Sequence, residues 1–346
     1  MLGVILAIPF IALLWLAIKL PVSISGILYL VAGALVIVGL ILAPVLPKAY
    51  LQITLAGMIG LILFAGTRWV LTGRNTSTEI QMIVLPGGKG MRWINTLIDE
   101  QDGLIFGEQI LHRIGGDSKS EHEGLVSAFA NVYSEIKKRG SFSSPVVSTY
   151  LNLQQPDQFD AVLIKPSGNR SRFGFVFLHG FMGNISSQCW VIGQAVKKLG
   201  GLTICPSTGW TGEWWRPEGQ QVLKSTLQYV REQGIEKIYL GGFSNGGFGL
   251  GRLAPQLAEE KGLSGLIFID GFMNGSSVRE LGLPVLIIQG SQDERVPVAA
   301  ARQFANEVGA LGTYIELESD HFVIIKQPDR VQNELSNWLE KYTSNP

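Results

Sequence analysis

A G-x-S-x-G pentapeptide, Gly242 to Gly246, follows directly after the apolar run Ile238 to Leu240. Glycines permit a strained turn from a buried strand into a helix, and such a turn lifts the hydroxyl of Ser244 away from the backbone. It also points the following amide N–H groups toward that hydroxyl. The motif therefore predicts a strand, a serine nucleophile and a helix in direct succession. The alternative is that Ser244 only caps the helix.

Three apolar runs dominate the first 71 residues, namely Leu2 to Ile18, Ile24 to Leu46 and Leu51 to Thr67. Each is about long enough to cross a bilayer as a helix. The whole chain of 346 residues is 46% hydrophobic and only 16% charged, which also favours a membrane protein. We expect residues 1–74 to form a membrane region with three transmembrane helices. The alternative, buried helices of a soluble domain, requires polar faces that these runs almost completely lack.

Basic residues near the ends of the runs favour one orientation in the membrane. With three crossings, Lys19, Arg68 and Arg74 lie on the same side as the C-terminal portion, and Lys48 lies on the other side. The positive-inside rule then places the C-terminal portion in the cytoplasm. A cleaved secretory signal is not expected, because no basic segment precedes the first run and two further runs follow.

Several classes of site have no support in the sequence. The formal net charge is zero, so no basic excess is available to bind nucleic acid. Cys189 and Cys205 lack any C-x-x-C spacing, and we expect two buried thiols and neither a metal site nor a disulfide. His112 and His122 have no metal-ligand pattern around them. The glycine-rich stretch at residues 87–90 lacks the spacing of a phosphate-binding loop and predicts a turn.

From Asn75 onward the composition is that of a globular protein, and we divide it near Ser144. Residues 75–144 are a linker or extension of unknown role, a possible cap, with a helix expected at Leu125 to Lys138. Residues 145–346 alternate short apolar runs with helical patterns, which predicts an α/β fold with a mostly parallel sheet covered by helices on both faces. The expected strands are Ala161 to Ile164, Gly174 to Leu178, Leu202 to Cys205, Lys237 to Leu240, Gly265 to Ile269, Pro284 to Gln289 and Tyr314 to Leu317. The expected helices are Ser187 to Leu199, Gln220 to Gln233, Gly247 to Glu260, Ala299 to Val308 and Pro328 to Tyr342.

Chemically useful side chains follow three of the expected strands. Ser244 follows the fourth strand, Asp293 follows the sixth, and His321 follows the seventh. Ligands of such sheets bind where the carboxyl ends of the strands meet the loops. The chain therefore presents a serine, a carboxylate and an imidazole, in that order, at one edge of the sheet.

This arrangement resembles the α/β-hydrolase family across about residues 145 to 342. The resemblance implies that Ser244 is the nucleophile, that His321 is the general base and later the general acid, and that Asp293 orients the imidazole. The strand that ends in His179-Gly180-Phe181-Met182-Gly183 is similar to the family's oxyanion loop. The backbone N–H groups of Phe181 and Asn245 are then the expected donors to the oxyanion, and His179 is a structural residue outside the triad.

Two other aspartates in the sequence are candidates for the role of the acid that orients His321. Asp270 follows the expected strand Gly265 to Ile269, and Asp320 lies beside His321. Asp293 is preferred because its loop also has the family's G-x-x-D-x-x-x-P pattern.

Three tryptophans lie within six residues on the loop beyond the strand ending at Cys205. They are Trp210, Trp214 and Trp215. Together with Met182 they are the candidates for a substrate pocket, where they would line an apolar cavity or touch lipid. The equally open alternative is that they only pack the loop onto the domain. The stretch from Met273 to Gly282 is too short for a large lid.

The sequence thus predicts a membrane-anchored serine hydrolase that acts on carboxylic esters, either small or lipid-like, through an acyl-enzyme. No metal or organic cofactor is implied. Expected partners are the ester substrate and the lipid bilayer, with no nucleic acid. A thioesterase, peptidase or acyltransferase would use the same triad. A further alternative is a non-catalytic hydrolase-like module that only binds.

Overall fold

The structure is a computed structural model that describes residues 10–11, 14–15, 23–73, 76–88, 90–113, 119–166, 168 and 171–343. Contacts within the chain divide it into two compact units. The first comprises Met1–Arg74 and Thr96–Ser118, and the second comprises Asn75–Asn95 and Lys119–Pro346. The chain therefore passes out of the second unit after residue 95 and enters it again at residue 119.

Two long apolar helices make up most of the described first unit. The helices of this unit are α1 (Ile24–Leu42), α2 (Ala49–Thr72) and α3 (Glu100–Arg113). With 19 and 24 residues, α1 and α2 are each able to cross a membrane by length and composition. The prediction of three spans is not met in the described residues, which hold these two. The run from Leu2 to Ile18 lies mostly outside them, and only its residues 10–11 and 14–15 are described, as helical.

Hydrogen bonds hold the polar ends of α1 and α2. The Ser23 hydroxyl, at the N-cap of α1, donates to the Asp102 carboxylate at 2.5 Å. The Arg68 guanidinium, near the end of α2, donates to the Ser25 hydroxyl at 2.7 Å and to the Thr96 carbonyl at 2.9 Å. The start of α1 and the end of α2 therefore share one polar cluster, as expected of two antiparallel helices joined by a short loop.

In the described part of the second unit, eight strands form one mixed sheet. The strands are β1 (Ile80–Leu85), β2 (Phe159–Ile164), β3 (Gly174–Leu178), β4 (Leu202–Pro206), β5 (Ile238–Phe243), β6 (Leu263–Ile269), β7 (Val285–Gly290) and β8 (Gly312–Leu317). Their order across the sheet is β1-β2-β4-β3-β5-β6-β7-β8. β2 runs antiparallel to both of its neighbours, whereas all neighbours from β4 to β8 pair in parallel. All seven expected strands are present.

Helices cover this sheet. The helices of the second unit are α4 (Lys119–His122), α5 (Leu125–Lys137), α6 (Val146–Tyr150), α7 (Ser186–Lys198), α8 (Pro217–Glu232), α9 (Asn245–Leu257), α10 (Gly275–Glu280), α11 (Val298–Val308), α12 (Val323–Lys326) and α13 (Pro328–Thr343). Every residue of β2, β3, β4, β5 and β7 is buried, which indicates a sheet that is covered on both faces. The predicted α/β architecture, a mostly parallel sheet covered by helices on both faces, is thereby confirmed.

The second unit also contains residues that precede the expected boundary at 145. β1 pairs with β2 along its whole length, so the extension contributes the edge strand of the sheet. The buried carboxylate of Asp160 on β2 accepts hydrogen bonds from Asn95 at 3.0 Å, from Gln154 at 3.0 Å and from the Ser148 hydroxyl. One buried carboxylate thus joins Asn95, Ser148 and Gln154 to the start of β2. The glycine-rich stretch after β1 turns at residues 86–88, as expected.

Cys189 and Cys205 form a disulfide, so the prediction of two free thiols is wrong. Cys189 lies on α7 and Cys205 on β4, both side chains are fully buried, and their Cα atoms are 6.1 Å apart. The two cysteines are 16 residues apart in the chain. No local spacing reveals this pair, because only the packing of α7 against β4 brings the two sulfurs together.

Candidate active site

Ser244 lies on a strained turn between β5 and α9. Its backbone has φ 51° and ψ −119°, a conformation that a residue with a side chain rarely adopts. Glycines on both sides make the turn possible. A Cβ on Gly242 would lie 2.4 Å from the backbone of Gly246, and a Cβ on Gly246 would lie 2.0 Å from the Leu178 carbonyl oxygen. The pentapeptide is thus the strand-turn-helix element that its sequence predicts.

The three side chains that follow β5, β7 and β8 form one hydrogen-bonded chain. The Ser244 Oγ lies 3.0 Å from Nε2 of His321, and Nδ1 of the same ring lies 2.8 Å from Oδ2 of Asp293. All three residues are largely buried, with exposed fractions of 9%, 5% and 6%. The carboxylate accepts only, so Nδ1 carries the proton and Nε2 is left to accept from the serine hydroxyl.

Asp293 is held by more bonds than the one to His321. Its Oδ1 accepts from the backbone N–H groups of Arg295 at 2.8 Å and Val296 at 2.9 Å. The amide of Gln289 donates to its Oδ2 at 3.2 Å and also to the carbonyl oxygen of Val296 at 2.9 Å. Gln289 is fully buried, and the sequence analysis missed it. The available signal was a polar residue at the end of an otherwise apolar strand.

The other two candidate acids do not occupy the position of Asp293. Asp320 forms an ion pair with Lys326 at 2.5 Å and accepts from the backbone N–H of Phe322. Asp270 accepts from the backbone N–H of Gly290 at 2.7 Å and is completely buried. Burial, together with the nearby charge of Asp293, raises the pKa of Asp270 well above its usual value.

The loop after β3 runs directly beside Ser244. A Cβ on Gly180 would lie 3.0 Å from Cβ of Ser244, so the two backbones are in close contact. Two residues later, Met182 has φ 76°, which marks a second strained turn. Asn245 begins α9, whose first N–H groups have no acceptor within the helix. Both expected oxyanion donors, Phe181 and Asn245, therefore lie on backbone that is adjacent to Ser244.

His179 lies outside the hydrogen-bonded chain of Ser244, His321 and Asp293, and it joins the loop after β3 to the loop after β4. Its Nδ1 lies 2.8 Å from the Gly180 carbonyl oxygen, and its Nε2 accepts from the backbone N–H of Thr208 at 3.2 Å. Burial lowers the pKa of His179 to about 4, so the ring is neutral at pH 7. A neutral ring with one donor and one acceptor satisfies both partners, in agreement with the structural role that the resemblance implies.

The three tryptophans of the loop after β4 differ in their environment. Trp214 is fully buried, and its Nε1–H donates to the His179 carbonyl oxygen at 2.9 Å, so it packs the loop and does not line an open pocket. Trp215 contacts the Arg252 guanidinium on α9, 4.8 Å from the ring centroid. Trp210 is 43% exposed. Of the three, Trp210 alone has both the exposure and the neighbours of a residue at the mouth of the site.

Two further aromatic rings contact Trp210. The Phe181 ring lies edge-on to it with centroids 5.0 Å apart, and the Tyr150 ring stacks on it at 6.5 Å. About half of the surface of Phe181 and Tyr150 is exposed. The Tyr150 hydroxyl donates to the Met182 carbonyl oxygen at 3.3 Å, and so joins this aromatic group to the strained loop after β3. Tyr150 was not among the residues expected from sequence, because α6 is distant from the motif in the chain.

Carboxylate and imidazole atoms of Asp270, Asp293 and His321 lie within 4.8 Å of one another, which is close enough for them to hold a cation together. However, both ring nitrogens of His321 already have partners in Ser244 and Asp293. The arrangement is therefore suited to moving a proton between serine and imidazole, and a metal would have to displace those bonds.

No family model and no curated protein matches the sequence. Solved structures do match. An alpha-beta serine hydrolase homologue from Coxiella burnetii is 21% identical, with 53% of this chain and 92% of that chain covered and a TM-score of 0.44. Est1E from Butyrivibrio proteoclasticus is 15% identical, with 54% and 96% covered and a TM-score of 0.47. The esterase domain of a Rhodothermus marinus protein is 15% identical, with 54% and 94% covered and a TM-score of 0.47. At this level of identity, activity has to be argued from the chemistry of the site.

Proposed function

We propose that this protein is a membrane-anchored serine hydrolase that cleaves carboxylic esters. The observation that carries the proposal is the hydrogen-bonded chain from Ser244 through His321 to Asp293, with distances of 3.0 and 2.8 Å. A serine hydroxyl is a weak nucleophile at its ordinary pKa and needs an adjacent base to remove its proton. The geometry supplies that base and a carboxylate that keeps it in the required tautomer.

The reaction follows from these positions. Oγ of Ser244 attacks the ester carbonyl carbon while Nε2 of His321 takes the hydroxyl proton. The tetrahedral intermediate then collapses, the bond to the alcohol breaks, and His321 returns the proton to the departing alkoxide oxygen. A water molecule attacks the acyl-enzyme with the same base, which releases the carboxylic acid and restores Ser244. Asp293 stabilises the positively charged imidazolium during both acylation and deacylation.

The backbone N–H groups of Phe181 and Asn245 are the proposed donors to the oxyanion. Two observations support this assignment. Gly180 packs closely against Ser244, and Asn245 lies at the start of α9. Donors on rigid backbone need no reorganisation as charge develops on the oxygen, and each typically contributes about 3 kcal/mol.

The proposed substrates are esters with an apolar acyl chain. The aromatic group of Phe181, Trp210 and Tyr150 begins at the same residue whose backbone N–H is the proposed oxyanion donor. A chain extending from the bound carbonyl past Phe181 would cover ring surface that is now about half exposed. Burial of such surface stabilises the bound substrate by about 0.8 kcal/mol for each CH₂ group.

The membrane anchor is proposed from α1 and α2. Many of their large apolar side chains are exposed in the structure, among them Leu51 at 61% and Ile62 at 66%. A bilayer would cover this surface, and both helices are long enough to cross one. Because disulfides persist in oxidising compartments, the Cys189–Cys205 bond leads us to propose that the catalytic domain faces the non-cytoplasmic side. This orientation is the opposite of the one that the basic residues favour.

Labelling with a fluorophosphonate probe tests the nucleophile. We expect the full-length protein in detergent to be labelled and the Ser244→Ala variant to remain unlabelled. Ser291→Ala is the matched control, because Ser291 is an exposed serine on the loop that carries Asp293. The control should label like the wild type. Folded wild-type protein that is not labelled would overturn the proposal and favour a module that only binds.

A series of p-nitrophenyl esters tests the substrate class. We expect kcat/KM to rise from acetate to octanoate in the wild type. Trp210→Ala should lower kcat/KM for octanoate about tenfold, or about 1.4 kcal/mol, and change it for acetate no more than about twofold. Trp215→Ala is the control, since that ring contacts Arg252. A wild type without chain-length preference would contradict the apolar acyl site and leave the nucleophile assignment intact.

A further inference from the structure

A second carboxyl group lies inside the catalytic cluster, and the mechanism above does not use it. Asp270 directly follows β6, and its side chain is completely buried. Its backbone has φ 46°, which is unusual for a residue other than glycine. Such strain at a buried acid indicates that the surrounding structure holds the carboxyl in place.

The carboxyl of Asp270 lies close to both loops that carry the other catalytic groups. Oδ1 accepts from the backbone N–H of Gly290 at 2.7 Å, at the start of the Asp293 loop. An oxygen of the carboxyl also lies within 4.8 Å of a ring nitrogen of His321, on the other loop. Asp270 is therefore fixed to the start of the Asp293 loop and lies close to His321.

Oδ2 of Asp270 is different, because it is buried and has no hydrogen-bond partner among the described residues. The charged and titratable groups that face this carboxyl are Asp293, Asp320 and His321. A carboxylate in a dry site beside a second carboxylate is strongly disfavoured, so the proton stays on Asp270 while Asp293 is charged. Asp293 is then the charged carboxylate that bonds to the imidazole, while the charge of Asp320 is paired with Lys326.

We propose that Asp270 is a reserve acid of this site, a positioning residue that becomes the partner of the His321 imidazole when the charge of Asp293 is lost. This inference rests on the proposed function. One atom from each of the three residues lies within 4.8 Å of the other two, so a small rotation of the ring brings an imidazole nitrogen within reach of the Asp270 carboxyl. Without Asp293 the like-charge repulsion disappears while burial still raises the pKa of Asp270, and the positive charge of a protonated imidazole then favours the ionised carboxyl, which takes the role of the acid.

A double-mutant cycle on Asp293 and Asp270 tests the proposal, with kcat/KM on a short ester measured for the full-length protein. Loss of the triad carboxylate typically lowers kcat about 10⁴-fold when nothing replaces it. We expect Asp293→Asn to lose only about 10²-fold, because Asp270 partly replaces the lost carboxylate. Asp270→Asn should lose about threefold in the wild type and about 10²-fold in the Asp293→Asn background.

Asp320→Asn serves as the matched control, because Asp320 is a carboxylate beside His321 that already has Lys326 as its partner. We expect it to cost the same factor in both backgrounds. If Asp270→Asn also costs the same factor in both, or if Asp293→Asn alone already loses about 10⁴-fold, the reserve role is overturned.

The pH profile of Asp293→Asn decides the matter even if the double variant does not fold. If the imidazole acts alone, the fall of kcat/KM on the acid side of the profile keeps the slope of a single protonation. If Asp270 must ionise as well, kcat/KM falls at a higher pH on the acid side of the profile, and it falls more steeply. This is the expected result. Hydrolysis that survives Ser244→Ala would instead overturn the proposed function, so the two failures are distinguishable.

Discussion

The indole Nε1–H of Trp214 donates to the backbone carbonyl of His179 at 2.9 Å, and the two rings meet edge to face with centroids 5.1 Å apart. Through this contact the loop after β4 is attached to the loop after β3, one residue before the segment that packs on Ser244. The neutral imidazole completes the link by accepting from the Thr208 N–H. The geometry of the proposed oxyanion site therefore depends on an uncharged histidine.

The stability of the second unit should fall as the pH falls from about 6.5 to about 4. The pKa of His179 is about 4 when folded and about 6.5 when unfolded. Between these values the unfolded chain binds the additional proton, so unfolding becomes more favourable as the pH decreases. The contribution is fully present above pH 6.5, and about 3 kcal/mol of it is lost by pH 4.

The measurement is the thermal midpoint of the detergent-solubilised protein at several pH values, followed by tryptophan fluorescence. The His179→Gln variant has no titrating group at this position and should show a shallower pH dependence, with lower stability at pH 7. Parallel curves for the wild type and His179→Gln would contradict the assignment of this transition to His179.

Substitution of Trp214 and of Trp210 by phenylalanine should have different effects. Trp214→Phe leaves the buried His179 carbonyl without its donor, at a cost of about 1–3 kcal/mol, and loosens the loop beside Ser244. We expect a thermal midpoint lower by several degrees and a reduced kcat for every ester. Trp210→Phe keeps an aromatic ring at a half-exposed position, so its midpoint should stay near that of the wild type. Equal midpoints for the two variants would argue against the structural role of Trp214.

Gln289→Met should impair both stability and turnover. This near-isosteric change removes the amide that donates to Asp293, Gly290 and Val296, and leaves buried acceptors unpaired. We expect kcat to fall about tenfold, because the carboxylate is less firmly oriented toward His321. Gln303→Met is the control, since Gln303 makes its hydrogen bond to Glu307 on the exposed surface of α11. A kcat for Gln289→Met equal to that of the control would show that the amide is dispensable.

The disulfide gives a test of orientation. Protein purified and denatured without reductant should not react with a maleimide, and should gain two labels after reduction. Replacement of both cysteines by serine should destabilise the domain by about 3 kcal/mol, as expected for a closed loop of this length. Two reactive thiols before reduction would favour a domain that faces the cytoplasm.

Local patterns were sufficient for most of the elements in the second unit. Strands such as β3 and β7 are short, continuous apolar runs. This pattern is typical of parallel strands that are buried on both faces, as these two are. The turn at Ser244 could be predicted from the sequence because the turn requires its glycines. A Cβ on Gly246 would lie only 2.0 Å from the Leu178 carbonyl oxygen. The chain order of serine, aspartate and histidine, each after a strand, was likewise visible without coordinates.

Contacts between distant segments were not readable in the same way. Three acids follow strands or adjoin His321, and the loop pattern favours Asp293 among them, but the 2.8 Å distance from its Oδ2 to Nδ1 of His321 could not be predicted from that pattern. Trp214 is buried and Trp210 is exposed although both belong to one loop, because the exposure of each side chain depends on what packs against it.

The sequence by itself determined the types of element, the strained turn at Ser244 and the apolar character of α1 and α2, because these depend on the spacing and chemistry of neighbouring residues. Only the tertiary structure decided the pairing of Cys189 with Cys205, the hydrogen bond between Asp293 and His321, and the place of β1 at the sheet edge. The physical reason is that hydrogen bonds and disulfides act over a few ångströms, so their partners are set by how strands and helices pack and not by distance along the chain.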